Sequence, residues 1–366
     1  MANIEKKATY YYGLDQLRAA LMLIGVLVHS AATIGPYKWN YNSHFYKNDV
    51  LFDLIYFTHF FRMEAFFLIA GFFSCLVLYR KDKRYFMQGR VKRVLIPLIF
   101  SIALINTFEV YFVVSQGITP WAQIGLGDFI VHSWFLLTLM LISLMCYALP
   151  IDKMLAVFKS WQWPLQTGFF IFYVLLPFGL KFVLTHILPM DNHPTFYAAY
   201  GYLIEKTLYY SIYFFAGYWL YADEAARKRI QGKSVMRVLG IVSVIGLVFL
   251  TNQIGADREN ASILVRVGML FAQHITGLAV AGLLFGFFAK AHFRFSKSTA
   301  FLVNSAIVVY LFHHPLVIVL AYYLDVPGLN SVVYFLLVSG ITYILSFGIY
   351  LLIRSNGVTR WMFGLK

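Results

Sequence analysis

Ionisable side chains interrupt long apolar runs at a few places in this sequence, and those places are where chemistry could be done. The first run, GLDQLRAALMLIGVLVHSAATI, carries Asp15, Arg18 and His29. The 11-residue step from Arg18 to His29 is about three helical turns. A helix would therefore put both on one face, roughly 16 Å apart. The second run, YFTHFFRMEAFFLIAGFFSCLVLY, carries His59, Arg62 and Glu64. A buried carboxylate needs a cation or a proton. Residues two apart on a helix point to nearly opposite sides, so Arg62 is a poor partner for Glu64 and His29 is the better candidate. In QGRVKRVLIP, Arg90 and Arg93 stand one turn apart, and a pair of forked guanidinium groups suits a phosphate. His132 and Trp134 open HSWFLL, with Glu109 late in the preceding run. NSAIVVYLFHHPLVI holds Tyr310, His313, His314 and Pro315, where the proline predicts a kink. Adjacent histidines on a helix point about 100° apart, so the expectation is that only one of His313 and His314 faces a given cavity.

Each of these residues has a plainer alternative. Arg18 could anchor a helix end at a membrane surface, and His29 could hydrogen-bond a neighbouring helix. Arg90 and Arg93 could belong to an unspecific basic loop. Gly71 reads as a point of close helix contact. No metal is expected, because HxxH, HExxH and clustered cysteines are absent. Phosphate-binding glycine loops and a GxSxG elbow are absent too.

The elements that must position these groups are membrane helices. Of 366 residues, 60% are hydrophobic and 13% charged, about half the charge of a soluble protein. The apolar runs are long enough to cross the roughly 30 Å hydrocarbon layer as helices and too long for barrel strands. The expected fold is an all-α, polytopic membrane bundle forming a single domain over 1–366. About ten spans are expected, near 14–34, 56–78, 94–115, 130–149, 164–187, 201–221, 236–253, 263–288, 299–322 and 331–353. The first run is read as a retained span rather than a cleaved signal.

Lys and Arg are strongly one-sided. Lys6, Lys7, the cluster from Arg80 to Arg93, Lys153, Lys159, the cluster from Arg227 to Arg237, Lys290, Arg294, Lys297, Arg354, Arg360 and Lys366 fall on one side. Only Lys38, Lys47 and Arg258 fall on the other. The positive-inside rule makes the rich side cytoplasmic and puts both termini there. The net charge of +14 is then a matter of topology, and no nucleic-acid partner is implied. Cys75 and Cys146 lie inside apolar runs and read as packed thiols.

Taken in order, Arg18-x10-His29, EAFFLIAGFFS, Arg90-x-x-Arg93, HSWFLL and NSAIVVYLFHHPLV resemble the membrane acyltransferase-3 family over nearly the whole chain. The resemblance implies a multi-pass protein of the bacterial inner membrane. Such a protein moves an acyl group from cytoplasmic acyl-CoA to an extracytoplasmic sugar, with no tightly bound cofactor. The branch it is most similar to implies succinyl-CoA as donor and an osmoregulated periplasmic glucan as acceptor. Carried onto this sequence, Arg18, Arg90 and Arg93 would hold the donor's phosphates. His29 would be the general base or an acyl carrier, with Glu64 orienting it and Arg62 or a histidine of the ninth span stabilising the oxyanion. His132, Trp134, Tyr310, His313 and His314 would lie at the acceptor or oxyanion side. An O-acetyltransferase of another surface or lipid-linked polysaccharide and a secondary transporter stay open as alternatives, and a homodimer is a candidate assembly.

Overall fold

A computed structural model describes residues 11–186, 199–253, 261–291 and 296–365. Lys6, Lys7, Arg258, Arg294 and Lys366, which entered the charge count, lie outside the described residues. The described chain is helical throughout and contains no strand. Its long helices are α1 (Tyr12–Ala32), α2 (Arg62–Arg80), α3 (Lys83–Ser115), α4 (Trp134–Ala148), α5 (Trp163–His186), α6 (Lys206–Ala222), α7 (Lys233–Asn252), α8 (Ile263–Lys290), α9 (Lys297–Leu324) and α10 (Ser331–Ser355).

Among the described residues, eight helices are long and apolar enough to span a membrane: α1, the rod 49–80 containing α2, α3, α5 and α7 to α10. A ninth arises if α4 and the helix Ile151–Ser160, bent from it by 82°, form one span. The remaining expected span is α6, preceded by a π-helical turn at Tyr200–Glu205. Its tyrosines, with Glu205 and Lys206, make it more polar than the other spans, yet Tyr213, Phe214, Gly217 and Tyr218 are buried. It packs against α2, and Tyr209, Tyr210, Tyr213 and Tyr218 face protein, while Glu205 is exposed.

Local sequence sets the helix ends. Asn48, Asp82, Ser262, Ser296 and Asn330 each accept a backbone N–H of the following first turn. Pro315, where a kink is expected, lies inside α9.

The crossing of α2 and α6 fixes the middle of the bundle. A Cβ on Gly71 would lie 1.8 Å from the Phe214 carbonyl oxygen, and one on Gly217 would lie 1.8 Å from that of Leu68. The two backbones therefore touch through their glycines, the close contact expected for Gly71. Phe67 stacks on Tyr210 beside this crossing, and Phe72 packs edge-on to Phe285 of α8. Cys75 and Cys146 are free, buried thiols.

At the far end of α1 the segment 33–48 folds back over the bundle. Asn42 donates to Ala32 O (3.1 Å), Ser43 N to Thr33 O (2.8 Å) and Asn48 N to Ile34 O (2.9 Å). Asp325, just past α9, gathers Tyr41 Oη (2.8 Å), Ser43 Oγ (2.5 Å), His44 N (2.7 Å) and His44 Nδ1 (3.0 Å). Burial pushes the Asp325 carboxyl up, but these donors outweigh it and hold the group below the usual carboxylate range.

Candidate active site

Two polar clusters sit at opposite ends of α1. At the first, Arg18 pairs with Asp15 (2.9 Å) and lies over the Phe73 ring at 5.6 Å. Arg90 donates to the Ser74 hydroxyl and stacks on Phe86 at 5.0 Å. Phe73 and Ser74 are neighbours on α2, so both guanidinium groups arrive at one level of the bundle. Arg90 is within electrostatic range of both Arg18 and Arg93, and Arg93 itself is exposed. A π-helical turn at Val91–Leu95 carries Arg93, a distortion that often marks functional sites. By contrast, Lys83 caps the C-terminal end of α4, donating to Tyr147 O (2.9 Å), which is a structural task.

At the other end, His29 meets three more imidazoles. Its ring centroid lies 5.8 Å from His132, 5.3 Å from His313 and 4.9 Å from His314. Trp39, from the segment 33–48, stacks on His29 at 5.5 Å and abuts His314 edge-on at 5.2 Å. His132 lies 4.7 Å from His313 and 4.6 Å from His314. Both adjacent histidines of α9 therefore join one cluster, against the expectation that only one would. The 100° between them is bridged because His29 and His132, from two other elements, fill the arc.

Hydrogen bonds fix three of these rings. His132 Nε2 is 2.5 Å from Tyr310 O, and Tyr310 Oη donates back to His132 O at 2.9 Å. His313 Nδ1 faces Val309 O (3.0 Å) and Tyr310 O (2.8 Å). His314 Nδ1 lies 2.8 Å from Glu109 Oε2, while Asn40 donates to Glu109 Oε1 at 3.2 Å.

Arg62 is buried at 4% exposure, and its Nε and Nη1 have no hydrogen-bond partner among the described residues. It reaches the cluster across Gly25, one turn before His29 on α1. A Cβ there would lie 2.8 Å from Arg62 Nη1 and 3.1 Å from His313 Nε2.

Glu64 goes elsewhere. Its Oε1 accepts from Tyr209 at 3.0 Å, and its Cγ lies against Gly277, 2.9 Å from where a Cβ would stand. No hydrogen bond or ion pair joins it to His29 among the described residues. The expected Glu64–His29 pair is thus replaced by Glu109–His314. Trp134 also sits apart, with Lys206 4.6 Å above its ring and Tyr210 at 5.0 Å. Gly25, Trp39 and the pairing role of Glu109 were not singled out by sequence reasoning. Glu109 and His314 are 205 residues apart, so no spacing connects them.

Comparison with known proteins identifies the family. The acyltransferase-3 family model, described as "Acyltransferase domain", matches residues 11–351. Glucans biosynthesis protein C of Escherichia coli strain SMS-3-5 / SECEC is 24% identical over 348 residues, covering 87% of this chain and 85% of the relative. The protein of the same name from Escherichia coli strain K12 is also 24% identical over 348 residues, with the same coverage. No solved structure is a significant match.

Proposed function

This chain belongs to the acyltransferase-3 family and is a membrane acyltransferase; from that premise we propose that it carries an acyl group from coenzyme A to a glycan hydroxyl across the bilayer. Succinyl is the acyl group and an osmoregulated periplasmic glucan the acceptor in this reading, as the likeness to glucans biosynthesis protein C suggests. The protein resides in the bacterial inner membrane with both termini cytoplasmic, an orientation motivated by the Lys/Arg asymmetry. Labelling of a Lys47→Cys variant by an impermeant thiol reagent in spheroplasts checks it, and protection of that site would reverse the orientation.

One observation carries the reading: the arginine cluster and the histidine cluster lie at the two ends of α1. Arg18, Arg90 and Arg93 hold the donor's phosphates at the cytoplasmic mouth. The pantetheine arm runs along α1 past Gly25 and delivers the thioester to His29. His29 takes the proton of the acceptor hydroxyl, since an imidazole is largely unprotonated near neutral pH yet can hold a proton. The hydroxyl oxygen attacks the thioester carbon, and Arg62 receives the oxyanion with its unpaired N–H groups. Collapse breaks the C–S bond, and the His29 proton passes to the departing thiolate. Glu109 takes the orienting role expected of Glu64, acting on His314 beside His29.

The test is His29→Ala, purified and compared per folded molecule. It should bind acyl-CoA and fail to acylate glycan, with the group identified from the product's mass. Near-normal turnover would remove His29 from the chemistry and shift the base to His314 or His313.

A further inference from the structure

The lone pairs of the histidine cluster raise a question that acyl transfer leaves unanswered. A carbonyl oxygen only accepts, so the nitrogen facing it carries the ring proton. In His313 that nitrogen is Nδ1, and Nε2 is left as a buried acceptor without a partner among the described residues. In His132 it is Nε2, which leaves Nδ1 as the acceptor. One carbonyl, Tyr310 O, receives both rings. The His29 ring makes no hydrogen bond among the described residues. One ring nitrogen from each of His29, His132 and His313 can be chosen so that all three lie within 4.8 Å of one another.

Backbone carbonyls that pin the second nitrogen of an imidazole are the usual outer shell of a metal-bound histidine. Three imidazoles with an open fourth position are a common donor set for zinc. The three residues come from α1, the turn before α4, and α9, so no sequence spacing could reveal the set.

We propose that His29, His132 and His313 form a binding site for a divalent transition cation of the Zn2+ class, and that occupancy inhibits the enzyme. Inhibition follows because the ion takes the lone pair by which His29 would accept the acceptor's proton; this part rests on the function proposed above. Arg62 opposes the ion, since its guanidinium reaches the same Gly25 position as His313 Nε2. The site is therefore a reversible one and weaker than a structural zinc site. Glu109 faces His314 rather than the trio and supplies no ligand.

The full chain, purified in detergent and stripped with a chelator, is titrated with Co2+ and then with Zn2+. The expected result is one Co2+ per chain with the intense visible bands of a tetrahedral site, abolished by Zn2+. His132→Ala and His313→Ala each lower the affinity about tenfold or more. His44→Ala, a surface histidine, leaves the affinity unchanged. Arg62→Gln raises it several-fold, an effect that loss of packing would not give. His132→Gln, with a thermal-shift control, covers the case in which an alanine variant fails to fold.

Absence of the bands from folded protein, or bands that survive both alanine variants, overturns the site. Binding without inhibition of a working transferase overturns the inhibitory role. A protein that transfers no acyl group from any donor refutes the function proposed above, and the metal titration still decides the site.

Discussion

Gly25→Ala tests whether Arg62 and His313 must both reach α1 for turnover. The added methyl would stand 2.8 Å from Arg62 Nη1 and 3.1 Å from His313 Nε2, where ordinary contacts are 3.4–4 Å. The guanidinium is the end of a flexible side chain and can retreat. The His313 ring is held through Nδ1 by two carbonyls and cannot retreat without losing them. Arg62 should therefore move, by at least about half an ångström. Overpacking costs roughly 1–3 kcal/mol, while alanine in place of glycine within a helix returns up to about 1 kcal/mol. Stability should fall by no more than about 3 kcal/mol, less whatever the helix returns, so the variant should still fold. Turnover should suffer more, because displacing a catalytic group by about 1 Å can cost on the order of 100-fold. The assay is kcat with saturating acyl-CoA and glycan, normalised to folded protein by size-exclusion chromatography. A variant that keeps wild-type kcat would refute the placement of Arg62 in the reaction.

Gly71→Ala and Gly217→Ala should each prevent accumulation of folded protein. The new methyl meets a backbone oxygen at 1.8 Å, which no side-chain rotation relieves. Gly340→Ala, with nothing within 4 Å, is the matched control, and equal yields of all three would contradict the crossing. Arg90→Ala and Arg93→Ala should weaken acyl-CoA binding by roughly 10- to 150-fold, the cost of a lost charge-assisted contact. Lys81→Ala should change it little, and equal losses by calorimetry would mark an unspecific basic loop. For Asp325, the folded carboxyl lies below its usual range, so its contribution to holding the segment 33–48 is complete above about pH 4. That contribution is lost as pH falls through the folded value. Hydrogen exchange in residues 36–48 should therefore accelerate in acid, and Asp325→Asn should abolish that acid dependence; an unchanged profile would assign it to another group.

The spans were legible because each is an apolar run long enough to be a helix on its own. Even α6 was found by its position, although its tyrosines make it more polar than the other spans. The arginine cluster was legible for a similar reason, since Arg90 and Arg93 are local neighbours and Arg18 starts a helix. The histidine cluster was legible only in part. Sequence spacing gives the direction of a side chain on its own helix, and says nothing of how helices are rotated against each other. The rotation of α2 is set by the Gly71–Gly217 crossing, and it turns Glu64 towards Tyr209 rather than His29. The segment 33–48 was opaque because its anchor, Asp325, is about 280 residues away.

The charges around the cluster also bear on what kind of reaction the interior can support. Arg62 is buried with Nε and Nη1 unpartnered among the described residues and makes no salt bridge there; Glu64, within electrostatic range, accepts from Tyr209 through one oxygen, and Glu109 is held by His314 and Asn40. An unpaired buried guanidinium is costly, so its retention needs a compensating negative charge at some stage of the working cycle. Acyl transfer would supply one. The thioester enters neutral, becomes an oxyanion in the transition state and is neutral again as an ester, so Arg62 gains most when the barrier is highest. On the proposed function, the cost of burying Arg62 would be borne in the resting protein and offset as the oxyanion develops.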